Sequence, residues 1–177
     1  MRNRKTKNVA LSGLLFALAL ALSFIESTIA PLLGLMPGIK IGLANVVVMY
    51  ALFFMGTRQA LLLVVLKAFF VFLTRGAVAG FLSLSGGLLS LFIMVLLQHL
   101  PVKPTYFILS VCGAVFHNMG QLIAASLVLS SAFALGYAPV LLISGLVMGA
   151  VTSLSLKAVL PALQKLEYSV QNPENRE

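Results

Sequence analysis

The chain contains no aspartate. Its four acids are Glu26, Glu167, Glu174 and Glu177, three of them in the C-terminal tail. Hard cations such as magnesium need several carboxylates, so an aspartate-rich diphosphate–magnesium site of the prenyl-synthase type cannot be built. A Ser-His-acid triad has no acid at suitable depth. There is one cysteine, Cys112, which excludes an intrachain disulfide and a cysteine metal cluster. The two histidines, His99 and His117, lie in different apolar runs without supporting acids, against a zinc site. No Walker A loop is present, so ATP can act only through other subunits. These absences argue against an enzyme and against any metal site.

Charge is the other scarcity. Only 9% of residues are charged and 60% are hydrophobic, with a mean hydropathy of +1.08 over 177 residues. A soluble domain carries about 25% charged residues, so lipid must solvate this chain. A spanning helix needs about 20 apolar residues. Six such runs account for nearly all of the sequence: 8–30, 39–56, 58–74, 79–99, 104–133 and 138–163. The expected fold is all-α, a single integral membrane domain over 1–177. It comprises a basic N-terminus (1–7), a six-helix bundle (8–163) and a polar, frayed tail (164–177). The first run, after "MRNRKTKN", has signal-peptide character, but Pro31 after "STIA" argues against cleavage and five runs follow. It reads as a retained anchor.

The net charge of +8 is distributed by topology. Arg2, Arg4, Lys5, Lys7, Arg58, Lys103, Lys157, Lys165 and Arg176 all fall on one side of an even-span bundle. Lys40 and Arg75 alone fall at connections on the other. The positive-inside rule places both termini in the cytoplasm. The basicity does not indicate nucleic acid; the expected surroundings are membrane lipid.

Topology leaves Glu26, Lys40, Asn45, Lys67, Arg75, His117, Asn118 and Gln121 unexplained. Glu26, Lys40 and Arg75 converge on the external side. Lys67 sits mid-run in "LLLVVLKAFFVFLTR", where an ionisable group costs about 2.5–3.5 kcal/mol to insert. It either lines a polar cavity, or snorkels to an interface or pairs with Glu26. In "CGAVFHNMGQLIAAS" the spacing lets His117, Asn118 and Gln121 share one helix face, as ligand contacts or as interhelical glue. Ser83, Gly87, Ser90 and Met94 form a stripe in the fourth run; Gly86 and Gly87 permit close approach of a helix or a ligand. Two further small-residue stripes, Gly13–Ala17–Ala21 and Gly145–Gly149–Ser153, serve internal packing or docking to another membrane subunit.

Three segments carry a family resemblance: "PGIKIGLANVV" (37–47), "RGAVAGFLSLSGGLLS" (75–90) and "GAVFHNMGQL" (113–122). With them the chain resembles, over nearly its whole length, the bacterial Gx transporter group, also called heptaprenyl diphosphate synthase component I. The missing aspartates make the synthase label look like a misnomer. The group is similar to the S components of energy-coupling-factor (ECF) transporters: six-helix plasma-membrane proteins with both termini inside, which bind a vitamin or precursor from outside. A T subunit and two ATPases then drive uptake.

That resemblance implies a T-subunit docking face at Gly13, Ala17 and Ala21, and a lid formed by "STIAPLLGLMPG". The polar residues read above make the expected pocket: Lys40, Asn45, Lys67, Arg75, Ser83, Ser90, His117, Asn118 and Gln121, capped by Glu26, with the basic groups facing phosphate, diphosphate or carboxylate. The ligand would be a small anionic or amphipathic molecule: a vitamin, flavin, quinone or isoprenoid precursor, with no covalently bound cofactor. Two other roles follow from the same resemblance. One is a membrane subunit of flavin- or quinone-linked extracellular electron transfer, with a membrane-anchored flavoprotein as partner. The other is a non-catalytic membrane component associated with heptaprenyl diphosphate synthesis.

Overall fold

The computed structural model describes residues 2–32, 43–101, 104–129 and 138–171. These form six α-helices and no strand: α1 (Arg2–Leu32), α2 (Leu43–Tyr50), α3 (Thr57–Arg75), α4 (Ala77–Gln98), α5 (Tyr106–Leu129) and α6 (Ala138–Gln171). Two expected boundaries move. Helix α1 begins at Arg2, so basic residues 2–7 belong to the first helix rather than preceding it. Helix α6 runs through Pro161 to Gln171, so the first half of the tail is helical rather than frayed.

Among the described residues, four segments are long and apolar enough to cross a membrane: Val9–Ile29, Thr57–Arg75, Ala77–Gln98 and Tyr106–Val128. At 1.5 Å per residue, 19 to 23 residues reach about 30 Å, the thickness of a hydrocarbon core. Their outward faces carry Phe69, Phe72, Leu73, Phe81, Phe92, Leu96, Ile123 and Leu127, all exposed. Water would not tolerate that surface; lipid requires it.

The second run is different. Its described apolar segment, Leu43–Met55, has 13 residues and reaches about 20 Å. Six of the eight residues of α2 are buried, and the backbone continues as a π-helical turn, Ala51–Met55. Val47, Tyr50 and Ala51 are fully enclosed, with Leu15 of α1, Leu63 of α3 and Leu156 of α6 in the same core cluster. A helix that is apolar all round belongs in an interior, and here it is the axle of the bundle.

Helix hairpins are set by two glycines. Gly56 (φ +100°) separates the π turn from α3, and Gly76 (φ +89°) separates α3 from α4. Side chains rarely adopt these angles, and each glycine reverses the chain as a single residue. Thr105 caps α5, its Oγ1 accepting from the Ile108 N–H at 3.3 Å, the usual N-cap arrangement.

Helices α3, α4, α5 and α6 pack in chain order, and α1 lies against α2 and α3. Lipid tails are as apolar as leucine, so small residues rather than hydrophobic burial bring spanning helices together. A Cβ on Gly120 of α5 would stand 2.7 Å from the Ser85 carbonyl and 2.9 Å from Gly86 Cα of α4. A Cβ on Gly149 of α6 would stand 2.5 Å from Val111 Cα. The Gly145–Gly149–Ser153 stripe is therefore an internal seam, reinforced by Ser110 Oγ donating to the Gly149 carbonyl at 2.8 Å. The Gly13–Ala17–Ala21 stripe faces outward, all three residues exposed.

Candidate functional site

Lys67 lies mid-way along α3 on the same face as Leu63, Val64 and Val71, all buried. The helix thus aims it inward, and it is only 6% exposed. Its Nζ donates to Asn45 Oδ1 of α2 at 2.7 Å. Asn45 is placed by the short α2, whose other faces are fixed in the core. A buried ammonium is tolerated only with such partners.

Around this pair is a small cavity lined by Asn45 and Val48 of α2, Val64 and Lys67 of α3, Ser83, Gly87, Ser90 and Met94 of α4, and His117 of α5. The α4 stripe read from the sequence is its wall. Ser83, Ser90 and His117 are all buried, and Ser83 Oγ has no hydrogen-bond partner among the described residues. The cavity volume is about 10 Å³, room for about one water molecule. Drug-sized ligands occupy about 300–1,000 Å³, so the cavity as described is far too small to hold one.

The remaining residues singled out in the sequence divide. Gln121 is buried and packs on α4, where a Cβ on Gly86 would meet its Cγ at 2.7 Å and the His117 carbonyl at 2.7 Å. Asn118 turns away to α6, its Nδ2 standing 3.5 Å from Ser144 Oγ. Successive helix positions are about 100° apart, so His117 and Gln121 share the α4 face and Asn118 does not. Glu26 is buried in α1 but is not on the cavity wall. Arg75 is exposed at the end of α3. Lys40 and the second half of the segment expected to form a lid, 33–38, lie outside the described residues, and its first half, 27–32, is the last part of α1.

Sequence reasoning missed Val48 and Val64, the apolar walls. Nothing distinguishes them from other valines in the runs. It also missed Ser110 and Thr152, buried with Ser153 of the α6 stripe on the α5–α6 seam; a serine four residues before Ala114 and one turn from Gly113 was the available signal. No group of three or more His, Cys, Asp or Glu residues could hold a metal among the described residues. The arrangement offers one cation, an amide, two hydroxyls and an imidazole to a single point inside an apolar bundle. That is binding chemistry for an oxygen-rich or anionic group.

No curated protein and no solved structure matches the chain. A family model does match residues 15–159, described as heptaprenyl diphosphate synthase component I. That description names one component of a synthase. The match runs from the buried Leu15 of α1 almost to the end of the described side chains of α6, taking in every wall of the cavity. The chain belongs to the heptaprenyl diphosphate synthase component I family.

Proposed function

We propose that this protein is a substrate-binding membrane subunit, with the Lys67–Asn45 cavity as the recognition point for the anionic or oxygen-rich part of a small molecule. The observation that carries this reading is the convergence of Asn45, Lys67, Ser83, Ser90 and His117 from four helices onto one cavity. An intramembrane ionisable residue is expensive, and a bundle built only for packing does best without one. Apolar lining from Val48, Val64 and Met94 suits an amphipathic ligand, such as a flavin, quinone or isoprenoid precursor.

In this reading the protein acts as an ECF-type S component. A T subunit docks on the exposed Gly13–Ala17–Ala21 face, and partner ATPases drive uptake across the plasma membrane. Admission of a ligand requires α3 and α4 to part by several ångströms at the cavity, since its volume is water-sized. The test is ligand binding by the purified protein carrying Lys67→Ala, with Arg75→Ala, exposed and off the cavity wall, as the comparison. Loss of affinity in Lys67→Ala alone supports the cavity. Unchanged affinity in Lys67→Ala sinks it.

A second reading is favoured by the family description itself: a membrane component that accompanies a heptaprenyl diphosphate synthase. It predicts that adding this protein stimulates prenyl diphosphate formation by a soluble catalytic chain. A flavin or quinone spectrum in the purified protein would instead favour the electron-transfer role.

A further inference from the structure

A second cavity lies away from the polar one, on the outer surface between α1 and α3. It is an open groove of about 420 Å³, and Val9, Gly13, Phe16, Arg58, Gln59 and Leu62 are among its lining residues. Its two ends differ. Val9 and Phe16 of α1 and Leu62 of α3 make an apolar trough along the bundle. Arg58 and Gln59, in the first turn of α3, close it with a cation and an amide. Arg58 is exposed, so its guanidinium is available to a partner outside the chain. Helices α1 and α3 start at this same end, and the sequence puts Arg2, Arg4, Lys5 and Lys7 in the first turns of α1. This is the basic end of the bundle.

Gly13 forms part of the trough. A Cβ added there meets nothing within 4 Å, in contrast to the glycines of the α4–α5 and α5–α6 seams. The open space at Gly13 is thus not helix packing within the chain. An apolar trough running toward the bilayer middle, with a guanidinium at its interfacial mouth, matches one ligand chemistry: an acyl chain joined to a phosphate. Arginine takes phosphate oxygens through two parallel N–H donors, and basic sites between helices at the cytoplasmic side are where anionic headgroups bind. We propose that the α1–α3 groove is a binding site for one anionic phospholipid, with Arg58 on its phosphate and its acyl chain along Val9, Gly13, Phe16 and Leu62. This does not depend on the ligand of the Lys67 cavity.

The experiment is native mass spectrometry of the detergent-purified full chain, titrated with phosphatidylglycerol or with phosphatidylcholine of identical acyl chains. The wild type should retain one phosphatidylglycerol in preference to phosphatidylcholine. Arg58→Gln should weaken the phosphatidylglycerol adduct about fivefold and erase the preference, while Arg58→Lys retains part of it. Gly13→Phe, whose Cβ meets nothing within 4 Å and whose ring would occupy the trough, should remove adducts of both lipids. Ala21→Phe, on the same exposed face but outside the groove, should leave them unchanged. Thermal melts of each variant verify the fold. Equal adducts with both lipids, adducts indifferent to Arg58→Gln and Gly13→Phe, or a lipid-independent dimer abolished by Gly13→Phe would each overturn the proposal.

Discussion

Lys67 Nζ and Asn45 Oδ1, 22 residues apart in sequence, are 2.7 Å apart in the bundle. The bond ties α3 to the buried axle α2, and it fixes a cation at the centre of an apolar protein. Hydrogen bonds to charged groups contribute about 1.5–3 kcal/mol. Asn45→Leu should therefore lower the unfolding free energy in detergent by about 2 kcal/mol, and Lys67→Met should lower it less, because the charge leaves with the bond. Measured in a double-mutant cycle, the two losses should couple. Additive losses would mean that the bond does not form in the membrane-solvated protein.

Glycine substitutions should sort by what their Cβ meets. Gly120→Ala drives a methyl group into the Ser85 carbonyl and Gly86 backbone, and overpacking of this kind costs about 1–3 kcal/mol. Gly13→Ala meets open space, and alanine gains up to about 1 kcal/mol of helix propensity over glycine. Thermal denaturation should show Gly120→Ala well below wild type and Gly13→Ala at or above it.

Ser110 donates to the Gly149 carbonyl across the α5–α6 seam. Interhelical hydrogen bonds in membranes average about 0.6 kcal/mol, so Ser110→Ala should be a mild variant, with a stability loss below about 1.7 kcal/mol. Ligand binding should be unchanged, because Ser110 does not line the polar cavity. A Ser110→Ala protein that folds normally but loses ligand would move the binding site to this seam.

Ala17 and Ala21 are exposed on α1. Exposed substitutions away from packing usually change stability by less than about 0.5 kcal/mol. Ala17→Phe with Ala21→Phe should therefore keep the fold and ligand binding while abolishing co-purification with a T subunit and its ATPases. Co-purification that survives both substitutions removes this face from the docking proposal.

Much of this architecture was legible because a membrane leaves few options. Lipid forces helices, and their lengths follow from the bilayer, which is why the α3, α4 and α5 boundaries fall within a few residues of expectation. The α4 stripe was legible because serine and glycine at steps of four and three stand out in an apolar run. Other features depend on the neighbours of a residue rather than its type. Gly13 and Gly149 look alike in sequence, but one faces open space and the other a helix backbone. Asn118 and His117 are adjacent, and only the packing of α4 and α6 on opposite sides of α5 divides them. The deep burial of α2 was hidden because a buried helix and a lipid-facing helix share the same apolar composition.

The central claim is that the Lys67 cavity recognises a small anionic or oxygen-rich molecule. Mass spectrometry of small molecules retained by the gently purified protein tests it most directly, with wild type and Lys67→Met compared after matched folding checks. The account predicts one such molecule retained by the wild type and depleted in Lys67→Met. A wild type that retains none, or a molecule held equally by both proteins, would contradict it.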